Sequence, residues 1–203
     1  MTYRYVFGKP YDTEAILEKP EASNENVRHF EKNGNSFSYE MDEKDIVWGL
    51  GENVRGMNKR GHSYTSWCSD EFEHSEEKHS LYGAHNFLVI DGRKKIGVFV
   101  DNPGKVVFDV GSTDFNILKI SIESNDYELY IFEGESVLSI VKEFRSLIGE
   151  SYIPPRWALG IGQSRWGYGS EEDLLRVQSG YRNNRLPLDM LYLDIDYMDN
   201  FKD

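Results

Sequence analysis

Trp157-Ala158-Leu159-Gly160-Ile161-Gly162 and Met190-Leu191-Tyr192-Leu193 are short apolar runs without polar alternation, and a helical pattern lies between them. Runs of this kind mark strands covered on both faces, as in a parallel sheet. Ser170 followed three residues later by Asp173 is a capping-box-like start. Leu174, Leu175, Val177 and Tyr181 fall on one face of a helix that ends before Pro187. Strand, helix and parallel strand make a βαβ unit. In parallel α/β architectures chemistry collects at the carboxyl ends of the strands. Those ends read Gln163-Ser164-Arg165-Trp166-Gly167-Tyr168 and Asp194-Ile195-Asp196-Tyr197-Met198-Asp199, so function is expected in these two loops. An eight-fold barrel takes roughly 250 residues, and only the segment from about Tyr152 to Asp203 is available to it, so the barrel is expected to be incomplete.

Upstream the pattern changes. Ser36 to Met41, Ile46 to Leu50, His85 to Ile90, Ile96 to Val100, Lys105 to Val110, Leu118 to Glu123 and Tyr127 to Phe132 read as strands. Asp91-Gly92, Asn102-Pro103-Gly104 and Ser124-Asn125-Asp126 supply turns between several of them. This is the pattern of an antiparallel β-sandwich. The polar segment Glu14 to Gly34 reads as irregular or edge structure. Asn53 to Ser80 has no clear period but holds Tyr64, Trp67, Cys68 and Phe72, which argues for a structured loop that packs on something or lines a site. Glu135 to Ile148 is the clearest helix, with Val137, Ile140, Val141, Phe144, Leu147 and Ile148 on one face and Gly149 as its stop. Pro154-Pro155 follows, which sets a domain boundary near Ser151: a sandwich over 1–151 and the start of a (β/α)₈ barrel over 152–203.

Composition limits the partners. A formal net charge of -12 disfavours nucleic acid and anionic membrane surfaces, because every contact works against the field of the whole molecule. A neutral ligand fits better. The 13 Tyr, 11 Phe and 4 Trp suit stacking on sugar rings and suit sandwich cores equally well. The start Met1-Thr2-Tyr3-Arg4-Tyr5-Val6 has no apolar core of signal-peptide length, and no run is long enough to span a bilayer. Cys68 is the one cysteine, so no internal disulfide framework is possible. These features predict a cytoplasmic location.

Five stretches resemble the N-terminal part of an α-glucosidase from family 31 of the glycoside hydrolases. They are Trp48-Gly49-Leu50-Gly51-Glu52, Leu81-Tyr82-Gly83-Ala84-His85, Pro154-Pro155-Arg156-Trp157-Ala158-Leu159-Gly160, Gln163-Ser164-Arg165-Trp166-Gly167-Tyr168 and Leu193-Asp194-Ile195-Asp196-Tyr197-Met198. The resemblance implies a β-sandwich packed on a (β/α)₈ barrel that cleaves terminal α-linked glucose from oligosaccharides with retention. Retaining chemistry needs two carboxyl groups about 5 to 5.5 Å apart. In this family both are aspartates on later barrel strands, and neither matches a position here, so they are expected beyond Asp203 and this chain alone is expected to be inactive. The matched positions bind substrate. Asp194 corresponds to the carboxylate that accepts hydrogen bonds from hydroxyls of the first glucose, a role that suits an ionised acceptor; from the pattern alone a carboxylate capping the next element, or bridging to an arginine, is equally supported. Ile195 adds an apolar wall. Trp166 matches an aromatic that stacks on a sugar face, against the alternative of packing under its loop. Asp70, in Ser66-Trp67-Cys68-Ser69-Asp70, matches a carboxylate that a sandwich loop places beside the substrate; Glu71 and Glu73 lie near, and an exposed loop acid is the plain alternative. Asp196 and Asp199 read as supporting or structural.

No cofactor or metal is implied. Asp194 and Asp196 alternate and would share one side of a continuing strand, yet two carboxylates without further ligands are a weak metal signal. His74, His79 and His85 with Glu76 and Glu77 match no usual ligand spacing and read as a solvated loop. Cys68 reads as a packed residue, and Gly160, Gly162, Gly167 and Gly169 as tight turns. The rival reading is a non-catalytic carbohydrate-binding or interaction module in which the sandwich does the work. Strands built for cover on both faces also expose apolar surface when the barrel is incomplete, so self-association of the isolated chain is expected, with the remainder of the barrel as the natural partner of that surface.

Overall fold

A computed structural model describes residues 1–12 and 16–202 of the chain; Glu14, at the start of the segment read as irregular or edge structure, and Asp203 lie outside the described residues. The chain divides into two compact units, Met1–Glu150 and Ser151–Asp203.

The first unit contains β1 (Thr2–Phe7), β2 (Glu31–Asn33), β3 (Ser36–Glu40), β4 (Ile46–Gly49), β5 (His62–Ser66), β6 (Phe87–Asp91), β7 (Lys95–Asp101), β8 (Val106–Val110), β9 (Ile117–Ile122), β10 (Tyr127–Gly134) and α1 (Val137–Ile148). Two five-stranded antiparallel sheets result, ordered β1-β10-β7-β6-β4 and β2-β3-β9-β8-β5. Strand periodicity explains how they pack, since alternate residues face opposite sides. Tyr127, Leu129 and Ile131 of β10 join Val98 and Val100 of β7 and Phe37, Phe108 and Ile120 of the other sheet in one core. Tyr130 and Phe132, the intervening β10 residues, point the other way and pack with Ile140, Phe144 and Leu147 of α1. Covered on both faces, β10 is buried from Tyr127 to Phe132. That is why its sequence lacks a clean apolar alternation.

The α1 apolar face is held against the sheet by stacking of Phe87 on Phe144, with ring centroids 4.0 Å apart, and by Gly97, where a Cβ would stand 2.4 Å from Ile140. Ser136 caps the helix reciprocally with Ser139, and Gly149, at φ +89°, ends it with a bond from its N–H to the Arg145 carbonyl. The helix therefore starts two residues later than the sequence reading placed it.

The stretch Asn53 to Ser80 is not wholly irregular, because it carries β5, which pairs with β8 from His62↔Val110 to Ser66↔Val106. Only Tyr64 of that strand is buried. Cys68 is exposed, contrary to the packed position expected of it, since it follows the end of β5 on a loop.

The second unit contains β11 (Gly162–Ser164), α2 (Glu171–Asn183) and β12 (Met190–Tyr192), with β11 and β12 parallel. The βαβ unit is present, but its first strand lies further along the chain than expected. Arg156–Leu159 forms a single 3-10 turn entered from Pro155 and left at Gly160, so only Gly162 of the expected strand run is extended in β11. Gly160 sits where a Cβ would collide with the Asp189 carboxylate, which accepts from the Ile161 N–H at 3.0 Å and steers the chain into β11. The Ser170 hydroxyl accepts from the Asp173 N–H at 3.2 Å and starts α2, whose first turn also carries Glu171 and Glu172. No α2 residue is buried, and Leu175 on the expected apolar face is exposed. Leu159, Ile161 and Leu193, beside the two strands, are exposed as well.

Candidate active site

The register of the parallel pair sets the geometry of the first cluster. Ser164 pairs with Tyr192 as the last residues of β11 and β12. Trp166 and Asp194 each follow two residues later, so both leave the sheet at one level of its carboxyl edge. Trp166 is 75% exposed and Ile195 52% exposed, whereas Asp194 is half-buried. Gly167, at φ +89°, turns the chain between exposed Trp166 and buried Tyr168, whose hydroxyl has no hydrogen-bond partner among the described residues. Trp166 is thus not packed under its loop.

Asp194 has a structural task. Its Oδ1 accepts from the Ile195 N–H at 2.7 Å and caps the 3-10 turn Ile195–Tyr197. Its other oxygen has no partner among the described residues, and an ionised carboxylate keeps acceptor capacity there. Because that turn ends the strand, Asp194 and Asp196 do not alternate along one extended segment, and the shared side expected for them does not form. Asp199 begins an isolated bridge to Lys202. Below this edge, the Tyr181 hydroxyl of α2 donates to Gln163 Oε1 and ties the helix to β11.

The second cluster belongs to the sandwich unit. Asp70 is exposed on the loop after β5. Its neighbour Glu71 is taken up by Lys78, 2.5 Å away, whereas Asp70 and Glu73 have no salt bridge among the described residues. Ser69 donates its N–H to the Leu81 carbonyl at 2.8 Å, and the Ser80 hydroxyl donates to the Trp67 carbonyl. Tyr82 lies beside Asp70, and its phenol is pushed up, first by desolvation and then by the Asp70 charge. His74 packs edge-on against Tyr82, with centroids 5.8 Å apart, and contacts the Glu71 carbonyl. His79 contacts the Ser63 carbonyl at 2.8 Å and His85 packs edge-on against Phe144, so each of the three histidines has a separate partner. No group of three His, Cys, Asp or Glu side chains able to hold a metal occurs among the described residues.

Trp67 was read from the sequence only as a sign of order. It is half exposed and lines an open cleft of about 480 Å³ with His85, Asn86 and Asn102. Its position three residues before Asp70, in a polar loop, was the signal available. Among the described residues no helix is long and apolar enough to cross a membrane.

Comparison with known proteins places both units. Residues 8–109 match the glycosyl hydrolase 31 N-terminal galactose mutarotase-like domain, and residues 151–203 match the glycosyl hydrolases family 31 TIM-barrel domain. The chain is 32% identical to alpha-glucosidase 2 of Bacillus thermoamyloliquefaciens over 181 residues, 84% of this chain and 23% of that protein. It is 26% identical to an alpha-glucosidase of Saccharolobus solfataricus, with 98% of this chain and 30% of that protein covered. A family 31 dextranase from Flavobacterium johnsoniae, solved in complex with isomaltotriose, superposes with a TM-score of 0.75 at 26% identity, over 84% of this chain and 21% of that one. The chain thus spans less than a third of the length of these relatives. An antiparallel sandwich followed by a parallel βαβ start, each matched in order by its own domain, shows that the chain belongs to glycosyl hydrolase family 31.

Proposed function

We propose that this chain is the amino-terminal portion of a retaining α-glucosidase that removes terminal α-linked glucose from oligosaccharides, and that it supplies substrate-binding residues while the nucleophile and acid/base lie outside its 203 residues. The observation that carries the reading is the placement of Trp166 and Asp194 at one level of the carboxyl edge of parallel strands, within the segment matched to the barrel domain. A flat, exposed indole and a carboxylate oxygen left free for donors are what a sugar ring with several hydroxyls requires. Ile195 gives the ring an apolar wall, and Asp70 offers a second carboxylate from the sandwich loop. No position of this sequence matches the family's catalytic aspartates, so the chain alone is inactive. A reducing cytoplasm as its location is supported by the single, exposed cysteine.

The test is stereochemical. Full-length enzyme acting on p-nitrophenyl α-glucoside, followed by proton NMR from the first turnovers, is expected to release α-glucose that mutarotates only later, as double displacement demands. Initial release of β-glucose would refute retention. Absence of any hydrolysis by the full-length protein would instead favour the non-catalytic module.

A further inference from the structure

Two of the sequence motifs, Trp48-Gly49-Leu50-Gly51-Glu52 and Leu81-Tyr82-Gly83-Ala84-His85, contain none of the residues proposed above to contact the sugar. The fold joins them to each other. Gly49, Leu50 and Gly51 have φ values of +115°, +66° and +68°, three successive left-handed residues at the end of β4. Leu50 holds this conformation without being glycine, which a chain does only where its surroundings fix it. The glycines are needed for close approach as well. A Cβ at Gly49 would stand 2.4 Å from the Phe87 carbonyl oxygen, and one at Gly51 would stand 3.0 Å from His85. This tight path delivers Glu52 to the second motif. Glu52 Oε2 accepts from the Gly83 N–H at 2.7 Å, and the Glu52 N–H donates to the Gly83 carbonyl at 3.2 Å.

Gly83 is one end of a short anchored segment. Two residues earlier, the Leu81 carbonyl holds the Ser69 N–H, and Ser69 is followed directly by Asp70. Tyr82, between the anchored residues, stands beside Asp70. We propose that Glu52 is a positioning residue for Asp70: by gripping Gly83 on two bonds it fixes the Leu81–Gly83 segment on which the Ser69–Asp70 loop hangs. An exposed carboxylate on an irregular loop otherwise samples many positions, and displacement of a binding group by about 1 Å is enough to weaken a substrate contact. The inference deepens the assignment of Asp70 to substrate binding and rests on it.

The experiment is a double-mutant cycle in the full-length enzyme, assayed with p-nitrophenyl α-glucoside and with maltose. Glu52→Ala is expected to raise KM about fivefold while kcat stays within about twofold, the pattern of lost uniform binding. Glu52→Gln keeps a carbonyl acceptor for the Gly83 N–H and is expected to restore KM. In an Asp70→Ala background Glu52→Ala is expected to have no further effect, which a general loss of fold stability would not produce. Equal effects of Glu52→Ala in both backgrounds, or no effect beside a costly Asp70→Ala, overturn the positioning role and leave the Asp70 assignment standing. A silent Asp70→Ala overturns both.

Discussion

Asp194→Ala in the full-length enzyme is expected to lower kcat/KM on α-glucosides by about 10² to 10⁴. A hydrogen bond to a charged group contributes about 1.5 to 3 kcal/mol, and a carboxylate free at one oxygen is able to receive two sugar hydroxyls, so about 3 to 6 kcal/mol is at stake. Each 1.4 kcal/mol is about tenfold in rate. The structure adds a complication, since Asp194 also caps the turn Ile195–Tyr197. Loss of that cap alone costs about 1 kcal/mol and would blur the interpretation. Asp194→Asn separates the two roles. Asparagine caps as well as aspartate but carries no charge for the sugar hydroxyls. If Asp194 binds substrate, the asparagine variant stays at least about tenfold impaired; if it only caps, asparagine restores full kcat/KM. Unchanged activity in the alanine variant would remove Asp194 from the site.

What could be read from the sequence follows from how local each signal is. The α2 start was visible because Ser170 and Asp173 are neighbours on the chain and their bond needs no tertiary context. The α1 face was equally visible, and its apolar residues meet the β10 side chains that face outward from the sandwich core. The first barrel strand was misplaced because an apolar run without alternation fits any buried segment. Pro154-Pro155 sets up a helical turn first, and extension begins only at Gly162. β1 drew no strand assignment, although Tyr3, Tyr5 and Phe7 alternate, and its pairing with β10, from Thr2↔Phe132 to Phe7↔Tyr127, joins residues far apart in sequence. The edge structure expected within Glu14 to Gly34 takes the form of β2: Glu31-Lys32-Asn33 is an exposed edge strand whose bounds its charge hid, and the signal that could have set them is Asn33-Gly34, with Gly34 at φ +59° in the turn to β3. At the site, the Asp194 cap was one of the readings the pattern left open, and the structure bears it out. The claim of Lys78 on Glu71 depends on a backbone path that spacing alone does not give.

Glu128 was passed over for the same reason, and it carries the largest expected effect on stability. It is the second residue of β10, 1% exposed, where an unpaired charge would not be tolerated. Arg4 of β1 meets it with both Nε, at 3.0 Å, and Nη2, at 2.6 Å. Lys19 Nζ approaches to 3.5 Å, and the Tyr130 hydroxyl donates to the same carboxylate. Desolvation works to raise the carboxyl pKa, yet the bonds from Arg4 and Tyr130 and the charges of Arg4 and Lys19 outweigh it and hold the group below its ordinary value of 4.5. Glu128→Gln preserves volume but faces an amide towards donors and leaves Arg4 without its carboxylate, while Lys19 keeps Asp12 at 3.0 Å. Removing one partner of a buried pair costs about 3 to 5 kcal/mol; Arg4 and Lys19 retain some solvent contact, which places the expected loss near about 3 kcal/mol. Urea unfolding of the chain followed by circular dichroism reads this as a lower midpoint. The sign of the pH dependence follows from the depressed pKa. The contribution is fully present above 4.5, the unfolded value, and is lost as pH falls through the lower folded value, where the native carboxylate takes up its proton. The gap between wild type and Glu128→Gln is therefore widest at neutral pH and narrows in acid. A gap that is constant from pH 7 to pH 3 would mean that Glu128 acts through the pattern of its hydrogen bonds and not through its charge, and the ion pair to Arg4 would then contribute nothing to joining β1 to the sheet.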